Sequence, residues 1–249
     1  MVTVRELSTR ATGVLEQTMI PAEPFRLRLD ILPPPQRRLW DEFAAIPSEF
    51  VLYGGTALAL RLGHRQSLDF DFFGRRKFEP HQLTDNLSLL AEATITQQAP
   101  NTLSVVVDRG GPVRLSFFGL PRITRLQPPG IAPGNGLRVA SLLDLAGTKA
   151  AVVQQRAEAK DYLDIDALLT DGRVDLPAAL AAAKAIYGAR FNPLITLKAL
   201  SFFADGDLHR LPEATRERLA AAARRVDVER LPVIARRPQP RGRGRGRER

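Results

Sequence analysis

The stretch "YGGTALALRLGHRQSLDFDFFG", residues 53–74, sets two carboxylates one residue apart inside a run of phenylalanines. Side chains alternate along a strand, so Asp69 and Asp71 share one face, roughly 7 Å apart at Cα. Leu68, Phe70 and Phe72 share the other, apolar face. Two acids this close repel unless a cation lies between them, and apolar surroundings raise the cost of their charge. The chain has no cysteine, and its three histidines (64, 81 and 209) are scattered. Oxygen ligands alone suit a hard ion, Mg²⁺ or Mn²⁺, which keeps several waters and bridges to substrate phosphates. Taken alone, the Asp-x-Asp pair also fits a wet strand face with two solvated acids.

The residues upstream narrow the choice. "EFVLYGG" (49–55) reads as a strand ending in a glycine turn, and "TALALRLG" (56–63) as a short helix stopped by Gly63. Gly54 and Gly55 let a phosphate approach the backbone, and the helix start offers free N–H groups and the positive end of a dipole. The Thr56 hydroxyl can donate to a phosphate oxygen. A phosphate cradle beside paired carboxylates is the equipment of phosphoryl or nucleotidyl transfer.

"GGTALALRLGHRQSLDFDFF" resembles the opening motif of the AbiEii/AbiGii-type nucleotidyltransferase toxin family, a branch of the DNA polymerase β-like nucleotidyltransferase superfamily. That motif is Gly-Gly/Ser-Thr, a short helix, then Arg-x-Ser-x-Asp-x-Asp-Phe, matched here by Arg65, Ser67, Asp69 and Asp71. The family also carries a helical lysine followed by a Lys/Arg-Asp-x-x-Asp segment. Here Lys149 precedes Lys160-Asp161-Tyr162-Leu163-Asp164, with Arg156 between them. On a helix Asp161 and Asp164 fall within about 60° of each other. Asp161 adjoins the apolar stripe of Ile165, Leu168 and Leu169, so it wants a cationic partner, for which Lys149 or Arg65 would serve.

The resemblance covers residues 49–74 and 141–170. It implies use of Mg²⁺ (or Mn²⁺) and a nucleoside triphosphate, a toxin role in a two-gene toxin–antitoxin or abortive-infection system, and transfer of nucleotides to RNA, foremost the 3′ end of transfer RNA. Gly54, Gly55, Thr56, Arg65, Ser67 and Lys149 would bind the nucleotide, and Asp69 and Asp71 the metal. Asp69, Asp71, Lys149 and either Asp161 or Asp164 would form the catalytic set, the last orienting the attacking hydroxyl. Many polymerase β-like enzymes place a third metal-linked carboxylate on a later strand. Here that strand, "GPVRLSFFG" (111–119), offers Arg114 and Ser116 instead, and Asp108 precedes the turn.

The surrounding elements must hold these groups. "PPPQRRLWDEFAAIP" (33–47) reads as a Pro-started helix with Leu39, Phe43 and Ile46 on one side. Residues 79–93 read as helical, 101–119 as a hairpin turning at "DRGG", and 119–136 as a long Pro/Gly-rich loop. From 141 onward the pattern is helical, including 178–190, 193–203 and 212–225. His64 reads as a cation at a helix C-terminus. The expected fold is α/β (α+β): a polymerase β-like nucleotidyltransferase core with a small mixed sheet, followed by a helical C-terminal lobe. The expected boundaries are a core over 1–136, the lobe over 137–235 and an Arg/Gly-rich tail over 236–249.

The chain has 249 residues and a formal net charge of +9. The tail, with seven Arg and one Glu, supplies +6 of it. Such a composition cannot bury a core and attracts phosphates. No run of about 18 apolar residues is present, and the start lacks a signal peptide's apolar core, so a cytoplasmic protein without a membrane partner is expected. No cysteine or Gly-x-Ser-x-Gly sequence supports acyl transfer. The expected partners are an NTP, an RNA acceptor and a cognate antitoxin. Three competing readings stand beside this: a nucleotide- or RNA-binding protein without catalysis, a regulatory partner acting through the tail, and a kinase-like toxin using the same site on a protein.

Overall fold

The computed structural model describes residues 27–171 and 174–234, so the basic tail lies outside the described residues. Pro34 and Pro35 start helix α1 (Pro34–Leu39), which continues as a 3₁₀ turn through Ala45. Leu39, Phe43 and Ile46 are buried, as their spacing predicts. The apolar run Phe50–Tyr53 forms β1, buried at every position, as a central strand should be. Helix α2 (Gly54–Leu62) follows without a linker and stops at Gly63, whose φ of 69° is left-handed. Arg61 of α2 donates to the Ala140 and Val139 carbonyls at 2.7 and 3.1 Å, which ties the helix to the far side of the sheet.

Strand β2 (Asp69–Gly74) alternates half-buried Asp69, Asp71 and Phe73 with buried Phe70, Phe72 and Gly74. Leu68 does not share the apolar face: pairing begins one residue later, and its side chain is 59% exposed. After α3 (Pro80–Asn86) come β3 (Thr94–Ala99), β4 (Thr102–Asp108) and β5 (Pro112–Gly119). The β4–β5 hairpin turns at 108–111, where Asp108 accepts from the Gly110 and Gly111 N–H groups. Two short strands, β6 (Gly130–Ile131) and β7 (Arg138–Val139), complete a seven-stranded mixed sheet in the order β3-β4-β5-β2-β1-β7-β6. The carboxylate strand β2 is therefore central, antiparallel to β1 and parallel to β5.

The rest of the described chain is helical: α4 (Leu142–Val152), α5 (Ala159–Thr170), α6 (Leu176–Tyr187), α7 (Pro193–Ala199) and α8 (Glu213–Arg224). One continuous core runs from Ile31 through the sheet to Ala223, and β7, beyond residue 136, pairs with β1. Phe43 meets Phe70 and Phe72 edge-on at 4.7 and 5.5 Å, closing one face of β2. α2 packs against β2, α4 and α5, which puts the helices beside the glycine turn. Among the described residues no helix is long and apolar enough to cross a membrane.

Candidate active site

Tyr53 pairs with Asp71 across β1 and β2, so the glycine turn that follows Tyr53 lies against the Asp71 carboxylate. Gly54 has φ of 73°, and a Cβ there would stand 2.4 Å from Asp71 Oδ2. A Cβ on Gly55 would stand 2.4 Å from an Arg65 guanidinium nitrogen and 3.1 Å from Ser67 Oγ. Both glycines are thus required by side chains already present, independent of any ligand. Burial pushes the Asp71 carboxyl above its ordinary value, the Asp69 charge pushes it further, and Lys149, Arg156 and Lys160 pull it back.

Thr56 does something other than expected. Its side chain is fully buried, and its hydroxyl donates to the Asp69 carbonyl at 2.5 Å. It fastens the first turn of α2 to the start of β2, and the hydroxyl is spent there, not on a phosphate. Ser67 makes no hydrogen bond to any described residue and stands over Gly55, so its hydroxyl is the one left for a ligand.

Asp161 and Asp164 on α5 are both fully buried. Lys149 of α4 bridges them, with Nζ 2.7 Å from Asp161 Oδ1 and 2.5 Å from Asp164 Oδ2. Arg65 binds Asp164 through two nitrogens at 2.7 and 2.9 Å, and His64 Nε2 lies 2.6 Å from the same carboxylate. Arg156 Nε donates to Asp161 Oδ2 at 2.7 Å. Burial alone would raise Asp164, but the His64 hydrogen bond, the Lys149 charge and the Arg65 guanidinium reverse it and hold the carboxyl well below the usual range. Burial opposes ionisation of Asp161 too, and Arg156 and Lys149 outweigh it.

The geometry brings Gly54, Gly55, Arg65, Ser67, Asp71, Lys149, Arg156, Asp161 and Asp164 together. Asp161 and Asp164 are buried and hold Lys149, Arg65 and Arg156 as a cationic wall beside Asp71. Lys149 has three donors, and two are taken. His64, read from sequence as a helix-end cation, is a partner of Asp164, and only its adjacency to Arg65 could have hinted at that. No acid occupies the β5 position beside the pair: Asp69 aligns with Arg114 and Asp71 with Ser116, whose hydroxyl accepts from Ser104 at 3.1 Å. Among the described residues no group of three or more potential metal-ligating side chains forms. Two carboxylates still fit Mg²⁺, which takes one or two from the protein and fills the rest with water and substrate phosphate oxygens.

A sequence profile of one family, described as the nucleotidyl transferase AbiEii toxin of type IV toxin–antitoxin systems, matches residues 37–237. An uncharacterised protein of Aquifex aeolicus is 32% identical over 162 residues, which span 64% of this chain and 76% of that one. MenT4, a nucleotidyltransferase toxin of Mycobacterium tuberculosis, shares the fold with a TM-score of 0.51 at 15% identity, over 76% of this chain and 83% of its own. The seven-stranded mixed sheet with its flanking helices is thus an α/β fold shared with that protein. The chain belongs to the AbiEii family of nucleotidyltransferase toxins.

Proposed function

We propose that the protein is a Mg²⁺-dependent toxin that transfers a nucleoside monophosphate from an NTP to a hydroxyl of RNA, foremost the 3′ end of transfer RNA. The observation that carries this is the meeting of two charge groups at the glycines that open α2. Asp71 lies against Gly54 and Arg65 against Gly55, and Lys149 and Arg156, ion-paired with Asp161, act on the Asp71 charge. The acceptor hydroxyl gives its proton to water as its oxygen bonds to the α-phosphorus, the bond to the bridging oxygen breaks, and pyrophosphate leaves. Asp69 and Asp71 would hold a divalent ion, which supplies charge neutralisation at the α-phosphate and the leaving oxygens. The Gly54–Gly55 backbone, Ser67 and the cationic wall would hold the triphosphate, since such catalysis is mostly positioning and charge stabilisation. Its toxicity would be held in check by an antitoxin partner.

The test uses two labels. With total RNA, α-³²P-labelled NTP should label the acceptor, and γ-³²P-labelled NTP should not. Asp69→Ala with Asp71→Ala should abolish labelling. Equal labelling by the double variant would sink the catalytic reading. Transfer of the γ label to protein would make the enzyme a kinase instead.

A further inference from the structure

An in-line displacement needs its nucleophile opposite the leaving group. If the triphosphate lies along the glycine turn and the cationic wall, pyrophosphate departs toward α2, α4 and α5. The acceptor must then come from the other flank of Asp69 and Asp71, toward β5. A cavity of about 320 Å³ lies there, between the start of β2, the β4–β5 hairpin and the Pro33–Gln36 segment. That is near the lower end of ligand-pocket sizes, about 300–1,000 Å³. Asp69 itself is part of its wall, with Pro33, Pro35, Gln36, Leu68 and Arg114.

Three features of the wall lack an internal explanation. Gln36 is only 3% exposed, its Nε2 donates to the Leu68 carbonyl at 3.1 Å, and its Oε1 has no hydrogen-bond partner among the described residues. A buried acceptor left unpaired is costly and calls for a donor from outside. Arg114 is exposed, aligned with Asp69 across β2 and β5, and makes no ion pair with any described residue. Leu68 is 59% exposed beside the cavity, an apolar surface with nothing on it.

We propose that this cavity is the acceptor subsite. Resting on the transferase reading, it assigns the terminal nucleoside of an RNA strand to the space between Leu68 and the prolines. Gln36 Oε1 accepts a hydroxyl or amino hydrogen of that nucleoside, and Arg114 binds the phosphodiester behind it. The residue aligned with Asp69 is then a cation because it meets the polyanionic acceptor, where a carboxylate would repel it.

The experiment uses full-length protein and a fluorescent single-stranded RNA with a free 3′-hydroxyl. Binding is followed by anisotropy without NTP, and steady-state constants for RNA and NTP are measured separately. Arg114→Gln and Leu68→Ala alter exposed side chains and leave the fold intact. Each should weaken RNA binding and raise the RNA KM several-fold, leaving NTP affinity and NTP KM unchanged. Arg114→Gln should also lower the salt slope of RNA binding by about one, and Arg114→Lys should restore it. Unchanged RNA binding in both variants, or a loss confined to NTP affinity, overturns the assignment. The two ideas fail separately. Wild-type protein that binds RNA through this cavity yet incorporates no label sinks the transferase reading alone, and RNA labelling indifferent to Arg114 and Leu68 sinks the subsite alone.

Discussion

At the scale of single residues, the helical side of the site is built on two buried carboxylates, Asp161 and Asp164, each held by cations. Asp164 illustrates the cost of disturbing it. Its carboxylate holds Arg65 by two hydrogen bonds, His64 by one and Lys149 by an ion pair. Asp164→Asn keeps the shape but leaves the Arg65 guanidinium without a carboxylate and Lys149 with Asp161 alone, and should destabilise the fold by about 3–5 kcal/mol at neutral pH. The sign of the pH dependence follows from the lowered pKa of Asp164. A depressed carboxyl stabilises the folded state above its unfolded value, near 4, and loses that contribution as pH falls through its folded value. The difference between denaturant melts of wild type and variant should therefore begin to shrink only as pH falls below about 4, and go on shrinking as pH falls toward the folded value. Gly54→Ala belongs at this scale too: it forces a Cβ onto Asp71 Oδ2 at a left-handed φ. Labelling should fall far more than melting temperature does if Asp71 holds the metal as proposed. A variant with full activity would show that the glycine serves the turn alone.

At the scale of elements, what positions Lys149 is the close approach of α4 to α6. A Cβ on Gly147 would meet backbone atoms of Ala182 and Ala183 at 2.9 Å. The alanine-rich face of α6 is what leaves room for this contact, and α4 itself starts at Ser141, whose hydroxyl accepts from the Asp144 N–H at 3.0 Å. Gly147→Ala should cost about 1–3 kcal/mol despite alanine's better helix propensity. It should also reduce NTP affinity, read by calorimetry on the folded variant, since the shift of α4 moves Lys149. Strand β3 shows the opposite limit of sequence reading: all six of its residues are exposed, so it has no apolar alternation to betray it, and only pairing with β4 makes it a strand. Phe73, on the acid side of β2, stacks on Tyr53 at 4.7 Å and meets Phe118 edge-on at 5.6 Å, packing visible only once β1 and β5 flank it.

At the scale of the whole molecule, the charge is lopsided, with +6 of the formal +9 in residues 236–249. Counterion release makes such a segment an affinity device that is sensitive to salt. Deleting 236–249 should leave NTP incorporation intact at saturating RNA, weaken RNA binding at moderate salt, and flatten its salt dependence. Filter binding across a salt series would check this. If the deletion abolishes labelling at any RNA concentration, the tail is part of the machinery and the regulatory-partner reading gains ground.

The sequence by itself determined the local patterns: two acids on one strand face, two glycines at a helix start, and a lysine and an acidic pair on later helices. Those are fixed by the periods of strand and helix. It also determined β1, β2, the β4–β5 hairpin and most of the helices, whose apolar spacing is strong. Tertiary structure decided which polar groups are spent and which are free. Thr56, a phosphate donor in one dimension, is consumed by the Asp69 carbonyl, and Asp161 and Asp164 are consumed by cations from the α2–β2 loop, α4 and the segment between α4 and α5. Gln36, silent in the sequence, and Arg114, read there only as the place of a missing acid, gain meaning because β5 lies parallel to β2 and the 33–36 segment closes over its start. The reason is physical: a buried polar group is defined by its partner, and the partners here come from residues up to 100 positions away.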